Sequence, residues 1–370
     1  MIKPCVVALL IAASANVAVA QNATSTITAD PTQSGVVRGT VTARLTGEAL
    51  SHAVITIDAL EMQLFSSEQG RFYFVKVKPG KYLLNVRQLG YLPVNVDIVV
   101  EGTGATEVKI QMDRIATKLA TFKVTDKQAV CETPGRPTVG DGEQLAEVFE
   151  QLEQSAIRLA LFAKQYPYRM LLDRRFLTRD VDGKDVAGRA DILVKEGQLT
   201  ATYQPGRIVA RVVGSGGDYS FQIPSLLDFA DKKFLANHCF TLRGLESMIA
   251  EDGPNSPAYI RVDFTAWSKL SDPDVEGSVF LDSADYRLRR AELRLTKVPN
   301  NLRQVADVHV TTRFQDANPG MPVIALVEAV TDLKPEGKKP FRIARRTEQQ
   351  VVATLVYLKQ HPDSAPRAKK

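Results

Sequence analysis

Residues 70–91, GRFYFVKVKPGKYLLNVRQLGY, constrain the fold of this chain more than any other stretch. Phe72 and Phe74 alternate with polar neighbours after Gly70, and Tyr82, Leu84 and Val86 alternate in the same way after Gly80. Successive side chains on a pleated strand point to opposite faces, so this period of two marks strands with one buried side. Pro79-Gly80 between the runs is a turn signal, because Pro presets φ and Gly accepts a positive φ. The stretch is expected to form a hairpin whose apolar face needs a second sheet to cover it.

The neighbouring sequence supplies that sheet. Val37, Gly39, Val41 and Ala43 alternate, Val54 to Ile57 and Met62 to Phe65 make short runs, and Val94, Val96, Ile98 and Val100 alternate again before Gly102-Thr103-Gly104. Val108, Ile110 and Met112 complete the set. About seven short strands with turn signals between them, and no helical periodicity, predict a small β-sandwich.

Several of these residues stand in a recognisable order. Gly39-x-Val41, Thr46-Gly47-x-x-Leu50 and Ala53-x-Ile55-x-Ile57 come first, then Gly70-x-Phe72, Pro79-Gly80-x-Tyr82 and Gly90-Tyr91. Together they resemble the carboxypeptidase regulatory-like domain, a transthyretin-like sandwich assigned to the carbohydrate-binding-like folds. The resemblance covers roughly residues 35 to 113. It implies an accessory domain, of the kind found beside metallocarboxypeptidases and at the front of outer-membrane receptors, and it does not imply peptidase activity.

Residues 1–20 read as a secretory signal peptide. Lys3 provides the charged start, Val6 to Ala13 the apolar core, and Val17-Ala18-Val19-Ala20 a small-residue cleavage pattern ending between Ala20 and Gln21. The apolar run is too short for a stop-transfer helix, and a signal anchor is the alternative reading. Export to the periplasm or the extracellular space makes the cysteines informative. Without Cys5, the pair Cys131 and Cys239 remains, and an oxidising compartment favours a disulfide between them over two buried free thiols.

Beyond a Pro/Gly-rich stretch at residues 133–142 comes one strong helix pattern. Leu145, Val148, Phe149, Leu152, Ala156, Leu159 and Ala163 recur at spacings of three and four, with Asp141 and Gln144 as a candidate cap and Tyr166-Pro167 as the stop. Ten strand candidates follow up to residue 355. Ala306, Val308, Val310, Thr312 and Phe314 share one face, as do Ile260, Val262 and Phe264 against Arg261, Asp263 and Thr265. One covered and one wet face is the pattern of an antiparallel sheet. The segment Gly277-Ser278-Val279-Phe280-Leu281-Asp282 with Asp285-Tyr286-x-Leu288-Arg289 is similar to a hairpin of the lipoprotein-localisation-factor-like half-barrels. That resemblance implies a curved sheet wrapping a helix, able in those families to cup an acyl chain.

Several constellations that could carry chemistry lack the residues or spacing it requires. A zinc carboxypeptidase needs a His-x-x-Glu pair, yet Ile55, Thr241, Thr312 and Ser364 stand three residues after His52, His238, His309 and His361. His238-Cys239 cannot act as a dyad, because adjacent strand residues face opposite sides. Asp272, Asp274, Glu276, Asp282 and Asp285 crowd two turns without the alternation of a calcium loop. Arg287, Arg289, Arg290 and Arg294, with Arg342, Arg345 and Arg346, are expected to pair across strands in preference to forming an anion site. Ser215-Gly216-Gly217 lacks the Lys of a phosphate loop. Trp267, the single tryptophan, sits at a strand end.

The composition, 44% hydrophobic and 24% charged over 370 residues with a net charge of +5, is that of an ordinary globular protein with no case for a nucleic-acid partner. The expectation is a mainly β, exported protein. Its parts are a signal peptide at 1–20, a leader at 21–34, a transthyretin-like β-sandwich at 35–125 and a linker at 126–142. A curved antiparallel sheet around one long helix follows at 143–358, then a basic tail at 359–370. No catalytic, cofactor or metal residues are assigned and no transmembrane segment is expected in the mature chain. The expected role is binding or scaffolding in the cell envelope, with an envelope protein, glycan or lipid as partner. A lipid or lipoprotein carrier, or an envelope-polymer hydrolase of unfamiliar type, is the alternative.

Overall fold

The computed structural model describes residues 34–102, 104–115, 130–166, 168–196, 201–211, 219–247, 257–317, 321–334 and 343–356. The expected signal peptide with its Ala20–Gln21 junction, the end of the sandwich domain expected to reach residue 125 and the basic tail lie outside the described residues.

Seven strands make up the N-terminal unit: β1 (Gly35–Ala43), β2 (Val54–Ile57), β3 (Met62–Phe65), β4 (Arg71–Val77), β5 (Gly80–Arg87), β6 (Val94–Val100) and β7 (Ala105–Met112). They form two sheets, ordered β4-β1-β7 and β3-β2-β5-β6, with β1 and β7 parallel. Val37, Val41, Ile55, Ile57, Phe72, Phe74, Leu84, Val86, Ile98 and Ile110 fill the space between them. The sandwich is thus built as the alternation predicts.

The expected hairpin is not formed. β4 pairs with β1, and β5 pairs with β2 and β6, so the Pro79-Gly80 turn carries the chain from one sheet to the other. Tight hairpins need a positive φ at the first turn position, which Pro cannot adopt. Lys76, at φ 58°, already breaks the alternation, leaving Val75 exposed and Val77 buried beside the crossing. Period-two patterning reports which face is buried and not which strand lies alongside.

The second unit begins with α1 (Glu143–Gln165), β8 (Tyr168–Asp180) and β9 (Asp185–Glu196). A short pair, β10 (Val209–Arg211) and β11 (Tyr219–Phe221), and the single turn α2 (Lys232–Leu235) come next. The chain then runs through β12 (His238–Ser247), β13 (Ala258–Ala266), β14 (Val275–Asp282) and β15 (Leu288–Leu295). It ends with β16 (Val305–Asp316), β17 (Pro322–Leu333) and β18 (Ile343–Val356). Nine of these strands form one antiparallel sheet ordered β12-β13-β14-β15-β16-β17-β18-β8-β9. A meander from β12 to β18 therefore returns to the hairpin that directly follows the helix.

α1 lies on one face of this sheet. Its Leu145, Val148, Phe149, Leu152, Ala156 and Leu159 share a core with Ile260, Val262, Phe264, Val279, Leu281 and Val308. The Phe149 and Phe240 rings approach to 4.5 Å. Three local expectations are corrected. Ala306 is exposed and Val305 buried, because a bulge between Val305 and Asp307 resets the phase of β16. Asp141 does not cap α1. The N-cap is Gly142, whose φ of 118° turns the preceding carboxylate back to accept the Thr138 N–H at 2.8 Å and its O–H at 2.9 Å. The face opposite the helix is not simply wet either. Asp263, 4% exposed, accepts Arg243 Nε and Arg261 Nε at 2.7 Å each and Ser278 Oγ at 2.7 Å.

Candidate functional site

The two units meet at a second buried stripe on α1. Gln151, Gln154, Ser155 and Arg158 recur at the i, i+3, i+4, i+7 positions of one helix face, and all are at most 3% exposed. This stripe faces the sandwich while the apolar stripe faces the sheet. Its polar side chains reach the residues after β5: Gly90 N–H donates to Gln151 Oε1 at 2.9 Å, and Arg158 Nη1 donates to Gln88 Oε1 at 2.8 Å. Arg87 pairs with Glu150, which also accepts Arg136 Nη2 at 2.8 Å. Arg114, just beyond β7, donates to the Ala284 carbonyl in the β14–β15 turn at 2.7 Å. Gly90 holds φ at +77°, a left-handed conformation that favours glycine, and the Asp285 carbonyl lies at ordinary contact distance, 3.6 Å, from where a Cβ would stand. The motif Gly90-Tyr91 of the sequence thus closes the joint between the units.

A cleft of about 210 Å³ opens at this joint, lined by residues of the turn before β2, the turn after β5, α1 and the β14–β15 turn. Its charged lining is Arg114, Arg158 and Arg287 against the single acid Asp285. Arg158 is 1% exposed, and burial together with the nearby positive charge of Arg287 pulls its guanidinium down to about 9, with Asp316 acting in the other direction. It remains charged at neutral pH. Burial is also the main reason that the Asp285 carboxyl is raised, against the stabilising bond from the Arg287 N–H. The cleft is therefore a small, partly enclosed site with an excess of positive charge.

Cys131 and Cys239 are joined by a disulfide with Cα atoms 5.5 Å apart. Around it Trp267 Nε1 donates to the Glu132 carbonyl at 3.1 Å, Ser268 N–H to the Cys131 carbonyl at 3.0 Å and Gly135 N–H to the His238 carbonyl at 3.0 Å. The Pro/Gly-rich stretch is thus stitched along β12 and β13. His238 is fully buried, stacked on Phe234 at 3.9 Å, with its two ring nitrogens 2.8 and 3.0 Å from the Phe234 and Val275 carbonyls. Adjacent Cys239 is bonded, so the two form no dyad.

Three of the five acids considered for calcium have another partner. Asp274 accepts the Tyr203 hydroxyl at 2.6 Å, Asp282 lies 3.6 Å from Arg289, and Asp285 lies 3.2 Å from Arg287. Four of the seven arginines pair with acids of a neighbouring strand: Arg287 and Arg289 with Asp316 at 3.0 and 3.1 Å, Arg294 with Asp307 at 3.1 Å, and Arg345 with Asp332 at 2.7 Å, while Arg290 pairs within its own strand with Glu292 at 2.5 Å. One grouping was invisible in the sequence. Asp307, His309 and Asp332 come together across β16 and β17, each offering a ligand atom within 4.8 Å of the others. Both carboxylates are held by the arginines just named.

Fold and joint define a mainly β protein in which a small sandwich is braced against a larger helix-filled sheet. Residues 36–113 match the family model of the carboxypeptidase regulatory-like domain, and the chain carries that domain. No curated protein sequence matches the chain. Among solved structures, the minor pilin of Streptococcus agalactiae is similar at 15% identity and a TM-score of 0.20, over 26% of this chain and 49% of that one, so the chain spans about half of its length. The major pilin subunit of Bacillus cereus is similar at 9% identity and a TM-score of 0.19, over 86% and 95% of the two chains. A Bacteroides uniformis protein provisionally described as carbohydrate binding is similar at 9% and 0.19, over 87% and 100%. Likeness at this level bears on no residue of the joint. No helix among the described residues is long and apolar enough to cross a membrane.

Proposed function

We propose that this is an exported, non-catalytic binding and scaffolding protein of the cell envelope, in which the interdomain cleft receives a small anionic group. In this reading residues 35–125 and 143–358 are the two domains, with 126–142 as a docked connection. The observation that carries the ligand class is the cleft lining, three arginines against one acid. A bound carboxylate or phosphate would relieve the repulsion between Arg158 and Arg287, and both domains would hold it at once. A hydrolase would instead place several carboxylates there.

Scaffold is favoured over lipid carrier because α1 occupies the face that a carrier would leave open. Leu152, Leu159, Phe162, Val262, Phe264, Val308 and Val310 are all between 0% and 5% exposed.

Calorimetric titration of the exported chain with glucuronic acid, glucose and a fluorescent fatty acid tests this reading. Glucuronic acid should bind, and Arg114→Ala, at an exposed position, should weaken it several-fold. Glucose and the fatty acid should not bind. Stoichiometric fatty-acid uptake would make the protein a carrier, and anion binding unchanged in Arg114→Ala would remove the cleft as the site.

A further inference from the structure

β9 is the outer strand of the nine-stranded sheet, paired with β8 on one side and with no described strand on the other. It runs for 12 residues, and all except Asp191 and Leu193 are exposed. Ile192 is 72%, Val194 57% and Val186 44% exposed, and they share a face of the sheet with Leu171 of β8, 37% exposed. A long, open, apolar edge is a template for another strand, and soluble proteins usually shorten, cover or charge such edges.

The charges on β9 indicate which strand fits. Its acids already have partners on β8: Asp185 with Arg179 at 2.7 Å, Asp191 with Arg174 at 2.6 Å and Glu196 with Arg169 at 2.7 Å. Its cations do not. Arg189 lies over the Phe176 ring at 4.1 Å, and neither it nor Lys195 has a carboxylate partner among the described residues. Read from both ends, VAGRADILV at 186–194 is complementary to itself. Folded back about Ala190, it sets Val186 opposite Val194, Gly188 opposite Ile192 and Arg189 opposite Asp191, while the bulge between Asp185 and Ala187 leaves Asp185 on the other face from Lys195.

We propose that β9 pairs antiparallel with β9 of a second copy of this chain, about a two-fold axis at the Ala190 pair, fusing the two sheets edge to edge. Arg189 then meets the partner's Asp191, so a cation with no carboxylate partner among the described residues gains an acid. Ile192, the most exposed apolar residue of the strand, lies opposite the partner's Gly188, which has no side chain to obstruct it. Registers centred on Arg189 or Asp191 would place like charges directly opposite each other. One centred on Ile192 would set Arg189 against the partner's Lys195. Charge therefore selects the Ala190 register from these neighbours. The surface is separate from the cleft and independent of what the cleft binds.

Sedimentation equilibrium of the exported chain at micromolar concentration should give twice the chain mass. Arg189→Asp sets two like-charge contacts in each dimer and should raise Kd on the order of ten-fold. Asp191→Arg should do the same, and the double exchange should restore dimerisation, with circular dichroism confirming that every variant folds. Ala190→Cys, in a Cys5→Ser background, should crosslink under oxidation, because directly opposed Cα atoms lie about 4.5–5.5 Å apart. Ile192→Cys and Gly188→Cys should not crosslink. A monomer at all concentrations up to about 100 µM would overturn the proposal. So would a dimer indifferent to Arg189→Asp, or one crosslinked at 188 or 192 and not at 190.

Discussion

Arg158 Nη1 donates to Gln88 Oε1 at 2.8 Å, joining the helix of the larger domain to the turn that leaves β5 of the sandwich. The guanidinium is almost wholly buried, so its bonds position one domain against the other and keep its charge solvated by protein. Gln88→Ala should therefore destabilise the whole protein by about 1–3 kcal/mol in urea unfolding, since it removes a partner from a buried donor. Arg158→Met removes the charge and keeps most of the bulk, and should cost less. The opposite order would mean that the bond contributes little to the joint.

The Cys131–Cys239 disulfide closes a separation of 108 residues. Chain-entropy arithmetic for such a loop gives about 4–5 kcal/mol, and typical values are about 2–4 kcal/mol. Cys239→Ser should lower unfolding stability within that typical range, and the double variant with Cys131→Ser should be no worse. Equal stability of the wild type with and without reductant would contradict this.

Acidity should stabilise the protein slightly before it unfolds it. Glu147, Glu153, Glu276 and Asp285 are all raised, chiefly by burial. Groups raised in the folded state hold protons more tightly there than when unfolded, so their stabilising effect is full below the ordinary value and is lost as pH rises through the folded one. Asp141, lowered by its bonds from Thr138, acts in the other direction at more acid pH. Thermal midpoints at pH 5 should equal or exceed those at pH 7, and Glu153→Gln should flatten the difference. A steady fall from pH 7 to pH 5 would count against it.

First-row metals should bind without useful affinity. Asp307, His309 and Asp332 have the chemistry of a ligand set, but Arg294 and Arg345 hold the two carboxylates and would have to be displaced. Protein purified without tags should carry far less than one zinc per chain by mass spectrometry of the metal. Stoichiometric zinc lost in His309→Ala would reverse this reading.

Processing is expected after Ala20, where the small-residue pattern ends, giving a mature chain that begins at Gln21. Intact-mass measurement of exported protein checks it, and retention of residues 1–20 would show a signal anchor instead.

Local patterning carried a great deal of this structure. The helix Glu143–Gln165 was legible to its ends, because its apolar residues recur at helical spacing and Tyr166-Pro167 halts it. The burial of Phe72, Phe74, Leu84 and Val86 was legible for the same reason, since alternation records contact with a core. Tertiary structure alone decided that β4 and β5 lie in different sheets, because a side-chain period contains no information about the partner strand. It alone brought Asp307 and Asp332 opposite each other, a contact set by the register of β16 on β17. Gln151, Gln154, Ser155 and Arg158 stand between these cases: their helical spacing was present in the sequence, but polar side chains on a helix ordinarily mean solvent. Only the sandwich packed against them makes that face an interior: its turn supplies the Gly90 N–H to Gln151 and the Gln88 oxygen to Arg158, while Ser155 and Gln154 bond within the helix to the Gln151 carbonyl and Glu150.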